Sequence, residues 1–187
     1  MNNTEFITKA ISFAAKAHEQ KNRKGTTVPY ITHPVEAMGI VSSLTSDPEV
    51  IAAAVLHDVI EDSPVTAAEL QEFFGSRVAD LVCSESEDKM NDIPAEASWK
   101  TRKEATIVHL AACTDSDVKL IALGDKLSNL RCIERDLAEI GPAFWNRFNQ
   151  NDPLLHKWYY SSILSALGEF EDTPAYREYQ RLMEKIW

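Results

Sequence analysis

Residues 52–62 read Ala52-Ala53-Ala54-Val55-Leu56-His57-Asp58-Val59-Ile60-Glu61-Asp62. The apolar half belongs to a longer stretch, Val50 to Val59, that is apolar almost all round. A helix of that kind needs neighbours on every side, so the stretch predicts a central, buried helix in a helical fold. Four ionisable groups follow it, and burying a charge is costly unless it is paired or bound to a metal. On a continuing helix, Glu61 lies one turn beyond His57 and Asp62 one turn beyond Asp58, and such positions share a face. Two groups able to hold a metal would then stand beside two carboxylates able to position or deprotonate a water. The plainer alternative is a polar helix end, with His57 capping carbonyls and the acids solvated.

Two distant positions favour the site over the polar end. His33 stands at a helix start, followed by Pro34, a residue suited to the first helical turn. Asp125 is a carboxylate set inside the apolar pattern Val118-x-Leu120-Ile121-x-Leu123-Gly124-Asp125-x-Leu127-x-x-Leu130. Gly124 beside it leaves room for another chain segment or a ligand to come close. Two imidazoles with two carboxylates make a mixed nitrogen and oxygen donor set. It suits manganese, iron or zinc better than calcium, and imidazole disfavours a pure magnesium site.

Working outward, nearly every segment reads helical. Ile7, Ala10, Ile11, Ala14 and Ala17 recur at helical spacing and predict a helix over 4–20. Residues 21–32 break the pattern and predict an ordered loop. Asp47-Pro48 opens the central helix, Thr66-x-x-Glu69 is a capping box for the next, and Gly75 closes it. Ser76 starts a further helix, a loop is expected over 89–97, and Ser98 begins a helix to about Cys113. A long helix over 116–140 is stopped by Gly141-Pro142, and helices near 154–170 and from Pro174 to Trp187 complete the chain. No alternating β-branched run appears, so the fold class is all-α, a compact single-domain bundle of about eight or nine helices. The expected domain spans 1–187, with a core over about 4–135 and C-terminal helices over about 154–187.

Composition narrows the function. The chain has 187 residues, 44% hydrophobic, with 19 Lys plus Arg against 29 Asp plus Glu, a formal net charge of −10. Affinity for nucleic-acid backbones comes mainly from Lys and Arg, so no nucleic-acid partner is expected. A small phosphorylated substrate needs only a local basic pocket. No apolar run reaches the roughly 18 residues of a membrane helix, and the first residues lack a signal-peptide pattern. A soluble, cytoplasmic protein without a membrane partner or an evident obligate protein partner is expected. Cys83, Cys113 and Cys132 lack Cys-x-x-Cys spacing, which predicts three buried, reduced thiols. No glycine-rich phosphate loop and no Gly-x-Ser-x-Gly elbow is present.

His33, then His57-Asp58, then Asp125 resembles the His…His-Asp…Asp pattern of the HD superfamily of metal-dependent phosphohydrolases. The likeness is closer to the RelA/SpoT-type hydrolase domain. Arg23-Lys24-Gly25 followed by Pro29-Tyr30-Ile31-x-His33-Pro34 resembles its opening motif, and His57-Asp58-x-x-Glu61-Asp62 its catalytic segment. Phe74-Gly75-x-x-Val78-x-x-Leu81-Val82 and Asp125-Lys126-Leu127-x-Asn129-Leu130-Arg131 resemble the motifs that follow. Ala122 departs from it, standing where that family often has lysine. By shape the chain is similar to the stand-alone small alarmone hydrolases.

The resemblance implies a manganese-dependent 3′-pyrophosphohydrolase of the stringent response. Its substrates would be guanosine tetra- and pentaphosphate, and its products GDP or GTP plus pyrophosphate. It implies His33, His57, Asp58 and Asp125 as metal ligands, with Mn2+ the expected ion and Fe2+ or Zn2+ as alternatives. Glu61 and Asp62 would orient or deprotonate the attacking water. Arg23, Lys24 and Asn129 are implied as substrate contacts, and Tyr159 as a contact to the nucleotide. Lys100, Arg102 and Lys103 are further cationic candidates, suited to phosphate oxygens, with a solvated charged helix face as the other reading. His18, His109 and His156 match no motif and are expected to be surface or core histidines. One competing function is an HD phosphohydrolase acting on another nucleotide or a phosphorylated dinucleotide. The other is a non-catalytic metal-stabilised binding module, against which the intact Glu61-Asp62 pair speaks.

Overall fold

The computed structural model describes residues 2–87, 90 and 92–187. Met1 of the expected domain, Asp88, and Lys89 and Asn91 of the loop expected over 89–97 lie outside the described residues. Among the described residues the fold is all-α, with a lone β-bridge between Asn22 and Pro29 and no strand. The chain divides into two compact units, Met1–Ser86 with Asp115–Asp125, and Glu87–Thr114 with Lys126–Trp187.

The first unit opens with α1 (Asn3–Ala17), started by a capping box in which Asn2 and Glu5 exchange side-chain to backbone hydrogen bonds. Its buried Ala10 and Ala14 are small enough to let it pack on α3 (Pro48–Leu56). Asp47 caps α3 by accepting from the Glu49 N–H, and Ala52 through Leu56 are all fully buried. The expected central position is borne out: α3 packs on α1, on α2 (Thr32–Ser42) and on α6 (Ser76–Glu85). Between them lie α4 (Val59–Asp62), a single turn, and α5 (Ala67–Phe74). Thr66 and Glu69 form the expected capping box, and Gly75 closes α5 at φ 92°, a left-handed conformation suited to glycine. Arg77 ties three carboxylates together, Asp47 at 2.8 Å, Glu49 at 3.1 Å and Asp117 at 2.5 Å.

The predicted central helix is shorter than its apolar pattern. It stops at Leu56 instead of Val59, because the His57 ring competes with the backbone ladder. Its Nδ1–H donates to the Ala54 carbonyl at 2.8 Å, the oxygen that the Asp58 N–H would take in a continuing helix. Asp58 then settles at φ −94°, ψ −3°, at the edge of the helical region. The expectation of one continuous helix through His57 and Glu61 is therefore corrected by this break, while the Asp62 N–H donates to the Asp58 carbonyl at 2.9 Å, one turn apart as expected. The first helix also stops at Ala17, short of residue 20.

The long helix α8 (Ser116–Ile140) has the expected limits and runs from the first unit into the second. In the first unit its Val118, Leu120, Ile121 and Leu123 are buried. A Cβ on Gly124 would lie 2.7 Å from Val41 Cγ2 and 2.9 Å from the Ala37 carbonyl oxygen. The missing side chain thus admits α2, as the sequence anticipated for a neighbouring segment.

The second unit contains α7 (Ala95–Ala112), which starts three residues before the expected Ser98, and the rest of α8. A 3-10 helix (Gly141–Arg147) occupies part of the expected 141–153 connection. Next come α9 (Pro153–Ala166), a short 3-10 turn (Gly168–Phe170) and α10 (Pro174–Ile186), capped by Thr173. Tyr179 is fully buried and its hydroxyl donates to the Tyr160 carbonyl at 2.9 Å. All three cysteines are free, as expected, but none is buried: Cys83 is exposed, and Cys113 and Cys132 are half-buried. Cys83 falls on the outer face of the amphipathic α6, a position its residue type did not betray.

Candidate metal centre

Four side chains of the first unit converge. His33 enters from the first turn of α2, His57 and Asp58 from the break after α3, and Asp125 from α8. The close approach at Gly124 brings α8 onto α2, and this seats Asp125 Oδ1 3.1 Å from His33 Nε2. Asp58 Oδ2 lies 3.1 Å from His57 Nε2 and 3.6 Å from His33 Nε2, and Asp125 Oδ1 lies 3.7 Å from His57 Nε2. The two imidazole rings meet edge to face at 5.2 Å. One donor atom each from His33, His57 and Asp58 falls within a mutual 4.8 Å.

These residues fit a divalent cation. The His57 Nδ1–H is held by the Ala54 carbonyl, so the Nε2 lone pair faces the cluster. That Nε2 is buried and has no hydrogen-bond partner. A buried polar atom left so is costly, and a metal ion satisfies it. Donors placed about 2.1 Å from one cation at adjacent positions stand roughly 3.0–3.4 Å apart, close to the imidazole–carboxylate distances here. The electrostatics show what a cation would replace: the carboxylates draw a proton onto His57, and a metal ion would take that proton's place on Nε2. Burial pushes His33 below the usual histidine range. Burial would lower His57 too, but Asp58 and Asp125 outweigh it and hold His57 well above that range. Burial would raise Asp58, but His57 and His33 hold it far below the carboxylate range. A buried carboxylate, Asp125, and a half-buried one, Asp58, thus demand positive charge at this point, a demand that a cation meets.

Glu61 and Asp62 follow within one turn on α4, both half-buried. The Asp62 carbonyl accepts from Lys21 Nζ, which also lies 3.8 Å from Asp62 Oδ1. Arg23 and Lys24 sit in the loop between α1 and α2, Arg23 half-buried with its guanidinium 5.6 Å from the Tyr30 ring centre, and Lys24 exposed. The other expected contacts belong to the second unit. Asn129 is half-buried on α8. Tyr159 is buried among Trp99, Tyr160 and Lys103, and its hydroxyl has no hydrogen-bond partner. Lys100 is exposed and pairs with Glu104 at 3.7 Å. Arg102 and Lys103 both pair with the nearly buried Glu87. His109 is exposed, whereas His18 and His156 are buried.

Sequence reasoning passed over two residues of this neighbourhood. Tyr30 donates its hydroxyl hydrogen to Asp58 Oδ2 at 2.7 Å, and burial together with Asp58 raises the phenol far above its ordinary range. Its place in Pro29-Tyr30-Ile31-x-His33 was the available signal. The His18 ring lies 4.9 Å from the Tyr30 ring.

The chain belongs to the HD domain family, whose match covers residues 10–150. Among curated proteins it is similar to MESH1 of Danio rerio, a guanosine-3′,5′-bis(diphosphate) 3′-pyrophosphohydrolase, at 36% identity over 146 residues. That match covers 76% of this chain and 75% of the relative. It is also 40% identical over 126 residues to the guanosine-3′,5′-bis(diphosphate) 3′-pyrophosphohydrolase of Haemophilus influenzae. There the match covers 64% of this chain but only 17% of the relative, so the chain spans a small part of that larger protein. In fold it resembles the structure of a metazoan SpoT orthologue described as hydrolysing ppGpp, with a TM-score of 0.78 at 24% identity, covering 96% of this chain and 94% of the other. A crystal structure of a protein from Listeria monocytogenes EGD-e matches with a TM-score of 0.70 at 31% identity, covering 81% of this chain and 96% of the other. No helix among the described residues is long and apolar enough to cross a membrane.

Proposed function

We propose that this chain is a metal-dependent phosphohydrolase that removes the 3′-pyrophosphate of guanosine 3′,5′-bis(diphosphate) and of the pentaphosphate. The products are GDP or GTP plus pyrophosphate. The observation that carries the proposal is the cluster of His33, His57, Asp58 and Asp125, with an unpartnered imidazole nitrogen at its centre and two further acids one turn away. Relatives named as 3′-pyrophosphohydrolases of this nucleotide support the substrate. The reading takes residues 1–187 as one HD-type domain, supported by a family match that runs through both units. Manganese is the proposed ion, with iron or zinc as alternatives, because two imidazoles and two carboxylates form a borderline donor set. The cytoplasm is the proposed location.

In this reading His33, His57, Asp58 and Asp125 hold the cation, which lowers the pKa of water and offsets charge on the phosphoryl oxygens. The Ala54 carbonyl keeps His57 in the tautomer that presents Nε2. Glu61 and Asp62 orient the attacking water and take up its proton, work that needs a carboxylate at hydrogen-bond range. Lys21, bound to the Asp62 carbonyl, steadies the turn that carries both acids. Arg23 and Lys24 supply local positive charge to a polyanionic substrate in a chain of net charge −10. Asn129, Tyr159, Lys100 and Arg102 are proposed as further contacts. Lys100 and Arg102 already pair with Glu104 and Glu87, so phosphate oxygens would compete with those carboxylates.

The test is product analysis. The purified chain, stripped of metal and resupplied with manganese, is incubated with guanosine 3′,5′-bis(diphosphate). The expected result is GDP and pyrophosphate in manganese-dependent amounts, lost in the Glu61→Ala/Asp62→Ala variant. Absence of turnover with the metal bound would overturn the substrate. Inorganic phosphate in place of pyrophosphate would move the chain to an HD phosphohydrolase acting on another bond.

A further inference from the structure

We infer that Tyr30 is a positioning residue of the metal centre: its hydroxyl fixes the Asp58 carboxylate, and its ring is locked in place by His18, Arg23 and His33. The inference rests on the metal-centre reading above and assigns a part to Tyr30 and His18, which that reading does not use.

Asp58 stands at the break between α3 and α4, and its side chain makes no capping bond to the turn it precedes. The regular helix therefore does not hold this carboxylate. Tyr30 does, donating to Oδ2 at 2.7 Å. The same oxygen faces His57 Nε2 at 3.1 Å and His33 Nε2 at 3.6 Å. A carboxylate oxygen accepts in two directions. With the phenol in one of them, the other is turned toward the imidazoles.

The phenol in turn has little freedom. The Tyr30 N–H donates to the Lys21 carbonyl at 2.8 Å, and the Tyr30 carbonyl accepts from the His33 N–H at 3.0 Å. Its ring meets His18 at 4.9 Å and 48°, and His33 at 6.0 Å and 74°, with the Arg23 guanidinium 5.6 Å from its centre. His18 is 2% exposed and neither of its ring nitrogens has a hydrogen-bond partner. Its contribution on this geometry is the packing of its tilted ring against Tyr30, which keeps the phenol aimed at Asp58. Residues that orient a ligand from behind typically change metal affinity by 10- to 100-fold when removed.

The experiment is calorimetric titration of Mn2+ into the metal-free full chain, wild type and Tyr30→Phe, with no substrate present. Phenylalanine keeps the ring between His18, Arg23 and His33 and removes only the hydroxyl. The expected result is Mn2+ affinity weakened by roughly tenfold or more, with near wild-type affinity retained when 3-fluorotyrosine, which keeps the donor, replaces Tyr30. Affinity within twofold of wild type in Tyr30→Phe would overturn the assignment while leaving the metal centre intact. Failure of the wild type itself to bind Mn2+ would remove the metal reading, and this inference with it. Loss of the folded far-UV spectrum in Tyr30→Phe would place the hydroxyl in fold stability instead and equally overturn the assignment.

Discussion

Replacing Gly124 by alanine should destabilise the protein, although glycine to alanine inside a helix ordinarily does the opposite. Alanine is favoured in a helix interior by about 1 kcal/mol. At Gly124, however, the new Cβ would lie 2.7 Å from Val41 Cγ2 and 2.9 Å from the Ala37 carbonyl oxygen. The valine methyl can turn away, but the carbonyl belongs to the backbone of α2 and cannot. Relieving that contact means moving α2 and α8 apart, and overpacking of this kind costs about 1–3 kcal/mol. Subtracting the propensity gain leaves a net loss of up to about 2 kcal/mol, or up to roughly 8 °C in Tm for a chain of this size. Gly39 is the internal control. It lies within α2, and a Cβ there meets nothing within 4 Å, so Gly39→Ala should raise Tm. Thermal melts of both variants by circular dichroism read the difference directly. Because the same approach of α2 and α8 brings Asp125 to His33, Gly124→Ala should also weaken Mn2+ binding. A Tm above wild type in Gly124→Ala, as in Gly39→Ala, with unchanged metal affinity, would refute the reasoning.

Three further outcomes are expected. Glu87 is held below the ordinary carboxylate range: burial would raise it, but Lys103 and Arg102 outweigh that. Its contribution to stability is therefore full above the unfolded pKa of roughly 4.3 and is lost as pH falls through the lower folded value. Melts from pH 7 to pH 3 should show a shallower acid decline in Glu87→Gln than in wild type, and parallel curves would count against the ion pair. Arg77→Ala removes a clamp on Asp47, Glu49 and Asp117 that is 44% exposed, so the loss should be about 1 kcal/mol at low salt and smaller at 1 M salt. A salt-independent loss would point to packing by the arginine stem instead. Adding Mn2+ at about a hundred times its Kd should stabilise the metal-free chain by about 2.7 kcal/mol, an effect abolished in Asp125→Asn. A Tm rise that survives Asp125→Asn would remove that residue from the ligand set.

Much of the architecture was legible because its signals are local. The capping box at Thr66, the prolines at Pro48 and Pro174, and the stop at Gly141 each act within one or two turns. A reader of the sequence sees the residues that a cap or stop needs, together with the apolar rows they bound. The buried α3 and the uninterrupted α8 followed from the same rows. The ordered His33, His57-Asp58 and Asp125 were likewise visible as polar residues set into apolar surroundings.

Partners across elements were not visible, because the sequence carries no signal for which side chains meet in space. The helical reading ran on through His57 to Val59, and only the folded chain shows the His57 ring taking the Ala54 carbonyl where α3 ends. Tyr30 looked like a loop aromatic, and its hold on Asp58 depends on how α1, the loop and the break after α3 pack. The cysteines read as buried by residue type, yet the packing leaves none of them so. Arg102 and Lys103 read as free cations, while the tertiary structure gives both to Glu87. By itself the sequence determined the helices, their order and the residues fit to hold a metal, since propensity, capping and burial pattern act within a few residues along the chain. Tertiary structure alone decided how those residues meet, because contacts between distant side chains are set by the packing of whole helices, such as the close seat of α8 on α2 at Gly124.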